Sequence, residues 1–373
     1  MTRAGTPLAF AVPGRLETLT GGFLYDRRIL EGLRARGRAI EVLELPEGFP
    51  LAGPELLAEA AARLDALPDG CPLVVDGLAA GVMPEAMARL GRRLPLHILV
   101  HHPLAAETGL TPAQAQALRD SERRSLAEAQ VVVTTSRATA EGLRRDYAVP
   151  AARLRVVPPG TERASLATGS AAGAPPHLLS VGALIPRKGQ DLLVEALGRL
   201  AALPWRLTLA GAARDAAFAA RLRARIAALG LAGRIRLPGE VEAAELAPLY
   251  DSADLFVLPS RLEGYGMAIA EALARGLPVV CGDSAAIVGE LPPGSLASLA
   301  TADPDALAGT LEALLAEPQR RRALAAAARR ARELLPSWDE ATLAFERALA
   351  EPWTARPAAG GTRTDVGRLS CDG

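Results

Sequence analysis

Lysine is almost absent from this chain of 373 residues: of its 42 basic side chains all but Lys188 are arginine. Acidic residues also number 42, so the formal charge is zero. That balance gives no reason to expect a nucleic-acid partner or a strongly anionic surface, and any anion must be bound locally. Basic and acidic residues nearly cancel up to Pro158 as well, which leaves at most weak peripheral contact with a membrane. Cysteine is scarce: Cys71, Cys281 and Cys371 lie far apart without metal-ligand spacing. They read as free thiols in a reducing compartment, so a cytoplasmic location is expected. No apolar run approaches the roughly 20 residues that cross a bilayer. Leu8–Val12 is too short for a secretory signal and reads as a strand. Nor is there a repeat of solenoid period.

What is present is hydrophobicity and alternation. Half the residues are hydrophobic, and a chain of this length divides into two cores. Short apolar runs alternate with longer helical ones, which is the pattern of parallel α/β sheets. Strands are expected at Leu8–Val12, Ala39–Leu45, Leu73–Val75, Leu96–Val100, Val131–Thr134 and Leu154–Val157. A second series is expected at Leu178–Val181, Leu207–Ala210, Ile235–Leu237, Leu255–Leu258 and Pro278–Cys281. The expected fold is α/β, with two Rossmann-like doubly wound domains facing a cleft: residues 1–160, a linker over 161–176 rich in small residues and proline, and residues 177–336. A helix over 337–352 is expected to pack back on the first domain, and 353–373 to form a disordered tail. Ligands of open α/β sheets bind beyond the carboxyl ends of the strands, so the chemistry belongs on post-strand loops.

Lys188 stands on such a loop, after the strand ending in Ser180-Val181-Gly182 and just before a helix from Gln190. An ammonium is a compact point charge with rotatable donors, suited to a phosphate oxygen in a narrow pocket above a helix N-terminus. The bland reading is a chance survivor among arginines. Arg187 reads equally as a second phosphate ligand or as a solvated arginine. A second constellation runs Pro259-Ser-Arg-Leu-Glu263-Gly264-Tyr265-Gly266-Met267 to Glu271, between two strands. Its glycines let backbone N–H groups approach a ligand, and the helix beyond favours negative charge there. A diphosphate suits that geometry, and the two carboxylates suit sugar hydroxyls. Taken alone, Glu271 reads as favourable acid placement early in a helix. His101 and His102 end another strand; one ring facing a sugar and two structural histidines are equal readings, with His101 preferred. Gly21 and Gly22 open the first helix and read as turn glycines or as phosphate-facing amides. Asp303-Pro304-Asp305 looks like a metal-binding Asp-x-Asp, but an N-cap followed by proline explains it fully.

Arg187-Lys188-Gly189 after Gly182, Glu263-Gly-Tyr-Gly with Glu271, Thr20-Gly-Gly, His101, Val156-Val-Pro-Pro-Gly160 and Gly276-Leu-Pro-Val-Val280 occur together in order. The set resembles glycosyltransferase family 4 over nearly the whole chain. The resemblance implies the GT-B fold and a retaining, metal-independent transfer of a hexose from a nucleotide diphosphate sugar, with no other cofactor. It also implies that Lys188 binds the diphosphate, that Glu271 binds the ribose, and that Glu263 with the amides of Gly264–Met267 binds the sugar. His101, Lys188 and Glu263 are thereby the catalytic candidates. Gly21, Gly22, Arg187, Lys188, Glu263, Gly264, Tyr265, Gly266, Met267 and Glu271 are the donor-site candidates, and no metal ligands are implied. The acceptor, a glycan, lipid or small molecule, has no legible signature. One position departs from the family pattern: Ala183 stands where an arginine usually follows the glycine, and Arg187 is the candidate to compensate. Two rival readings are a non-catalytic nucleotide-sugar binding protein and a nicotinamide-dependent oxidoreductase built on Gly264-x-Gly266, which lacks the third glycine at Ile269.

Overall fold

The computed structural model describes residues 7–300 and 303–350. Two six-stranded sheets organise the chain. The first is built from β1 (Leu8–Pro13), β2 (Ile40–Leu45), β3 (Leu73–Asp76), β4 (Leu96–Val100), β5 (Val131–Thr134) and β6 (Leu154–Val156), in the order β2-β1-β3-β4-β5-β6. The second is built from β7 (His177–Val181), β8 (Arg206–Ala210), β9 (Ile235–Gly239), β10 (Leu255–Leu258), β11 (Val279–Gly282) and β12 (Ala297–Leu299), in the order β12-β11-β10-β7-β8-β9. Every pairing is parallel. Parallel sheets are covered on both faces, so their strands read as unbroken apolar runs. In β1, Ala9 and Ala11 enter the core on one face while Leu8, Phe10 and Val12 enter the core on the other. Leu178 and Leu179 divide in the same way between the two cores of the second domain.

The strand orders fix where ligands can sit. Chain direction across the sheet reverses between β1 and β3 in the first domain and between β7 and β10 in the second. At each reversal the loops leave toward opposite faces and open a crevice. Two loops singled out by the sequence, 182–189 and 259–266, leave β7 and β10, the strands at the second reversal.

Some expectations differ in detail. β12 was not expected: it is three residues long with Ser298 at its centre, and it offers no apolar run. Residues 161–176 carry no helix or strand, but they are tied down, with Thr161 N–H donating to Pro336 O at 2.8 Å and Ala167 N–H to Arg275 O at 2.9 Å. The expected tail over 353–373 lies outside the described residues. No described helix is long and apolar enough to cross a membrane.

The helix Trp338–Leu349 starts with a reciprocal cap between Ser337 and Glu340. Its Ala341, Phe345 and Ala348 join the first-domain core with Phe10 and Tyr25. Where the chain leaves that domain, Gly160 lies against the backbone of Trp338, and a Cβ there would overlap it. Backbone cannot rotate away as a side chain can. Gly160→Ala is therefore expected to lower stability by about 1–3 kcal/mol; an unchanged urea midpoint would refute this packing.

Candidate active site

The loop after β7 is shaped by glycine. Gly189 has φ +71°, and a Cβ there would overlap the carbonyl oxygen of Pro259. Only glycine combines that conformation with such close contact between the loops leaving β7 and β10. The same contact delivers Lys188 to Glu263, with Nζ donating to Oε1 at 2.5 Å. Ser260 Oγ donates to the same oxygen at 2.8 Å. The lysine stem lies over Gly182, where a Cβ would stand 3.3 Å from Cδ and Cε. Gln190, 1% exposed, ties the loop from beneath through Nε2 to the carbonyls of Ala183 at 2.9 Å and Gly182 at 3.3 Å.

Glu263 is 8% exposed. Burial alone would raise its carboxyl, but Lys188 and Arg187 and the hydrogen bonds from Lys188 and Ser260 outweigh it and hold the group below its ordinary value. Glu271 behaves oppositely: burial raises its carboxyl, against the hydrogen bond from Tyr250 and the charge of Arg275. It lies in the second turn of the helix Met267–Ala274, whose first turn holds no acid. Early acid placement therefore does not account for it, and Tyr250 Oη donates to its Oε2 at 2.9 Å. Gly266, at φ +105°, opens that helix. Tyr265 contributes no side chain to the cleft, because its ring is buried in the second-domain core. Only its backbone remains for a ligand.

The first domain meets these loops directly. A Cβ on Gly264 would overlap the carbonyl oxygen of His101, and one on Gly21 would stand 3.9 Å from Met267 Sδ. Gly22 faces the His101 ring, with a Cβ 3.3 Å from Cδ2. His101 itself lies between two acids, its Nε2 3.3 Å from both Asp26 Oδ1 and Asp76 Oδ2. Burial lowers the imidazole, but Asp26 and Asp76 raise it to about 10. Neither contact meets a strict hydrogen-bond geometry, and each is an ion pair when the ring is protonated. Ligand atoms of these three residues lie within 4.8 Å of one another, the one group among the described residues spaced to hold a metal ion.

His102 follows a different path. Its Nε2 is 3.5 Å from Glu107 Oε2, and Glu107 Oε1 is 3.4 Å from Arg187 Nε across the cleft. Burial would raise Glu107, but His102, Arg187 and the Thr108 N–H bring it down to about 2. Arg187 also donates to Leu262 O at 3.1 Å. Asp303 caps its helix by accepting from the N–H groups of Asp305 and Ala306. The sequence had not singled out Asp26, Asp76, Glu107, Ser260 or Tyr250. Asp26 alone carried a signal, an acid on the helical stripe of Tyr25, Ile29, Leu30 and Leu33.

Two family descriptions match this chain in tandem: a glycosyl transferase 4-like domain over residues 9–160 and glycosyl transferases group 1 over residues 167–331. The chain belongs to glycosyltransferase family 4. Among relatives of this family 4 chain is the D-inositol 3-phosphate glycosyltransferase of Xylanimonas cellulosilytica, 34% identical over 64% of this chain and 60% of that protein. The MMP alpha-(1->4)-mannosyltransferase of Mycolicibacterium hassiacum is 27% identical over 82% of this chain and 76% of that protein. The matched segment thus spans 60% of the first relative, and 55% of the D-inositol 3-phosphate glycosyltransferase of Segniliparus rotundus. The fold is that of sucrose-phosphate synthase from Thermosynechococcus elongatus, with TM-score 0.76, 22% identity and coverage of 92% of this chain and 98% of that one. It is likewise that of Anabaena HepE in complex with UDP-glucose, with TM-score 0.73, 18% identity and coverage of 92% and 99%. The architecture is GT-B.

The Lys188–Glu263 pair has a measurable signature. A lowered carboxylate stabilises the fold above the unfolded carboxyl's value of about 4.3 and loses that contribution as pH falls through the folded one. Lys188→Met strands the buried charge, and the Glu263 carboxyl then rises instead. The variant should lose about 3–5 kcal/mol at pH 8 and clearly less at pH 5, where Glu263 takes up a proton. Urea unfolding at both pH values reads this, and an equal deficit at each would refute the pairing.

Proposed function

We propose that this chain is a retaining, metal-independent glycosyltransferase that moves a hexose from a nucleoside diphosphate sugar to an acceptor hydroxyl. The observation that carries the reading is the Lys188–Glu263 pair at the reversal point of the second sheet, set beside the first-domain wall at His101. An ammonium and the amides of Gly264–Met267 at a helix N-terminus suit a diphosphate. Glu263 then accepts from sugar hydroxyls and Glu271 from the ribose, while His101 reaches the sugar near the reacting carbon. Arg187 stands in for the arginine replaced by Ala183, trading Glu107 for a phosphate oxygen.

In this route the bond from the anomeric carbon to the diphosphate oxygen breaks, and positive charge grows on the sugar. Lys188 and the helix dipole stabilise the leaving anion. The acceptor oxygen forms its bond on the face the leaving group vacates, and its proton passes to the departing phosphate oxygen. No protein base is needed, and configuration is retained. Names of relatives support glucose or mannose as the sugar, and the acceptor is a glycan, lipid or small molecule. Free thiols at Cys71 and Cys281 fit work in the cytoplasm.

A thermal-shift screen against UDP-, GDP- and ADP-linked glucose and mannose is expected to show one donor raising the Tm by linkage. That donor should yield product whose anomeric coupling constant matches its own, with EDTA present. Lys188→Ala should lower kcat roughly 100-fold, and Arg187→Ala should weaken nucleotide binding. Retained activity in Lys188→Ala overturns the role of the lysine, and unchanged affinity in Arg187→Ala overturns compensation. Donor binding without hydrolysis or transfer means a binding protein, and binding of NAD alone means an oxidoreductase.

A further inference from the structure

Asp26 is fully buried within the first helix, and neither of its carboxylate oxygens has a hydrogen-bond partner. Asp76, 3% exposed, uses Oδ1 to accept from Leu78 N–H at 2.7 Å and turns Oδ2 to His101. Two carboxylates are thus buried around one imidazole nitrogen. Without a cation this arrangement is strongly unfavourable. Among the other groups here only Arg27 is felt as a charge, opposing the rise of Asp26 from a distance. Arg27 turns its guanidinium to the carbonyls of Leu16 and Thr18. Tyr25 packs in a T-shaped arrangement with the imidazole, centroids 5.4 Å apart, and its hydroxyl donates a hydrogen bond to Val157 O. His102 faces Glu107, and Gly22 and Gly264 bring only backbone.

We propose that Asp26 and Asp76 are positioning residues that keep His101 as a doubly protonated imidazolium, so that Nδ1 meets the ligand as a hydrogen-bond donor and never as an acceptor. The inference rests on the proposed function for the identity of that ligand, but the charge state is a property of the protein alone. Asp26 is itself raised to about 6, burial outweighing His101, and His101 is raised to about 10, so the cluster is ionised as a pair between those values. An imidazolium raised in the folded state stabilises fully below the unfolded value of about 6.5 and loses that contribution as pH rises toward 10. The consequence for transfer is a fixed positive charge on the first-domain wall that ordinary changes in pH do not switch off.

The chain has four histidines, so His101 can be assigned in nitrogen-15 spectra by comparison with His101→Gln. In the ligand-free wild type both His101 nitrogens are expected in the imidazolium range from pH 6 to pH 9. In Asp26→Asn the ring should turn neutral within that span. Above the lowered value, kcat of this variant should fall about tenfold per pH unit, return toward wild type at pH 6, and leave the donor KM nearly unchanged. Loss of packing alone would not be restored by acid. Should Asp26→Asn fail to fold, Asp76→Asn with its capping oxygen retained serves in its place. A neutral His101 at pH 8 in the wild type overturns the proposal, as does identical titration in variant and wild type. Broadening of His101 by added Mn2+ that Asp26→Asn abolishes overturns it in favour of a metal centre. If no nucleotide sugar binds while His101 stays charged, the proposed function falls and this inference stands.

Discussion

Lys188 and Glu263 are 75 residues apart in the chain, yet they share a proton-donating contact in a site where water is scarce. A charge removed from water must be matched by another, and the match must be held in place, since leaving either partner alone costs more than the pair returns. Much of the local architecture serves that requirement. Gly189 permits the loop from β7 to touch the loop from β10, Gln190 braces the first loop, and Ser260 fills a further acceptor site on the carboxylate. In the proposed transfer the pair would give a diphosphate something to displace: a phosphate oxygen arriving at Lys188 would compete with Glu263 and free its oxygens for hydroxyl groups.

The parallel sheets were legible because burial on both faces leaves no polar alternation to confuse the reading, and β1, β4, β5 and β10 stand where apolar runs stand. β12 was not, since a three-residue edge strand containing serine has too little hydrophobicity to separate it from a loop. Lys188 was visible as a compositional exception, and Glu263 through the glycines beside it. Asp26 carried a weak signal, an acid on an apolar helical stripe, but the adjacent Arg27 and Arg28 masked it by making it resemble part of a solvated face. Only the docking of His101 against that helix reveals the acid as interior. Glu107 had no local signal at all, because its partners His102 and Arg187 belong to opposite sides of the cleft. The burial of the Tyr265 ring in the core that also holds Ile269 and Ile287 had no signal in the sequence, where the residue stands between two glycines.

The two walls of the cleft treat charge differently. On the second-domain side cation and anion neutralise each other at one short contact. On the first-domain side two anions surround a single imidazole, and a separate acid, Glu107, reaches over to Arg187. The Glu107–Arg187 contact joins the two walls, and the backbone contact of Gly264 with His101 sets how near they come.

The polypeptide passes between the halves twice, outward after Gly160 and back at Ser337, and the two passages are hydrogen-bonded side by side through Thr161 and Pro336. Adjacent straps of this kind join the two halves along one line. The geometry at the far lip of the cleft is thereby inherited from how the two halves are joined at its spine.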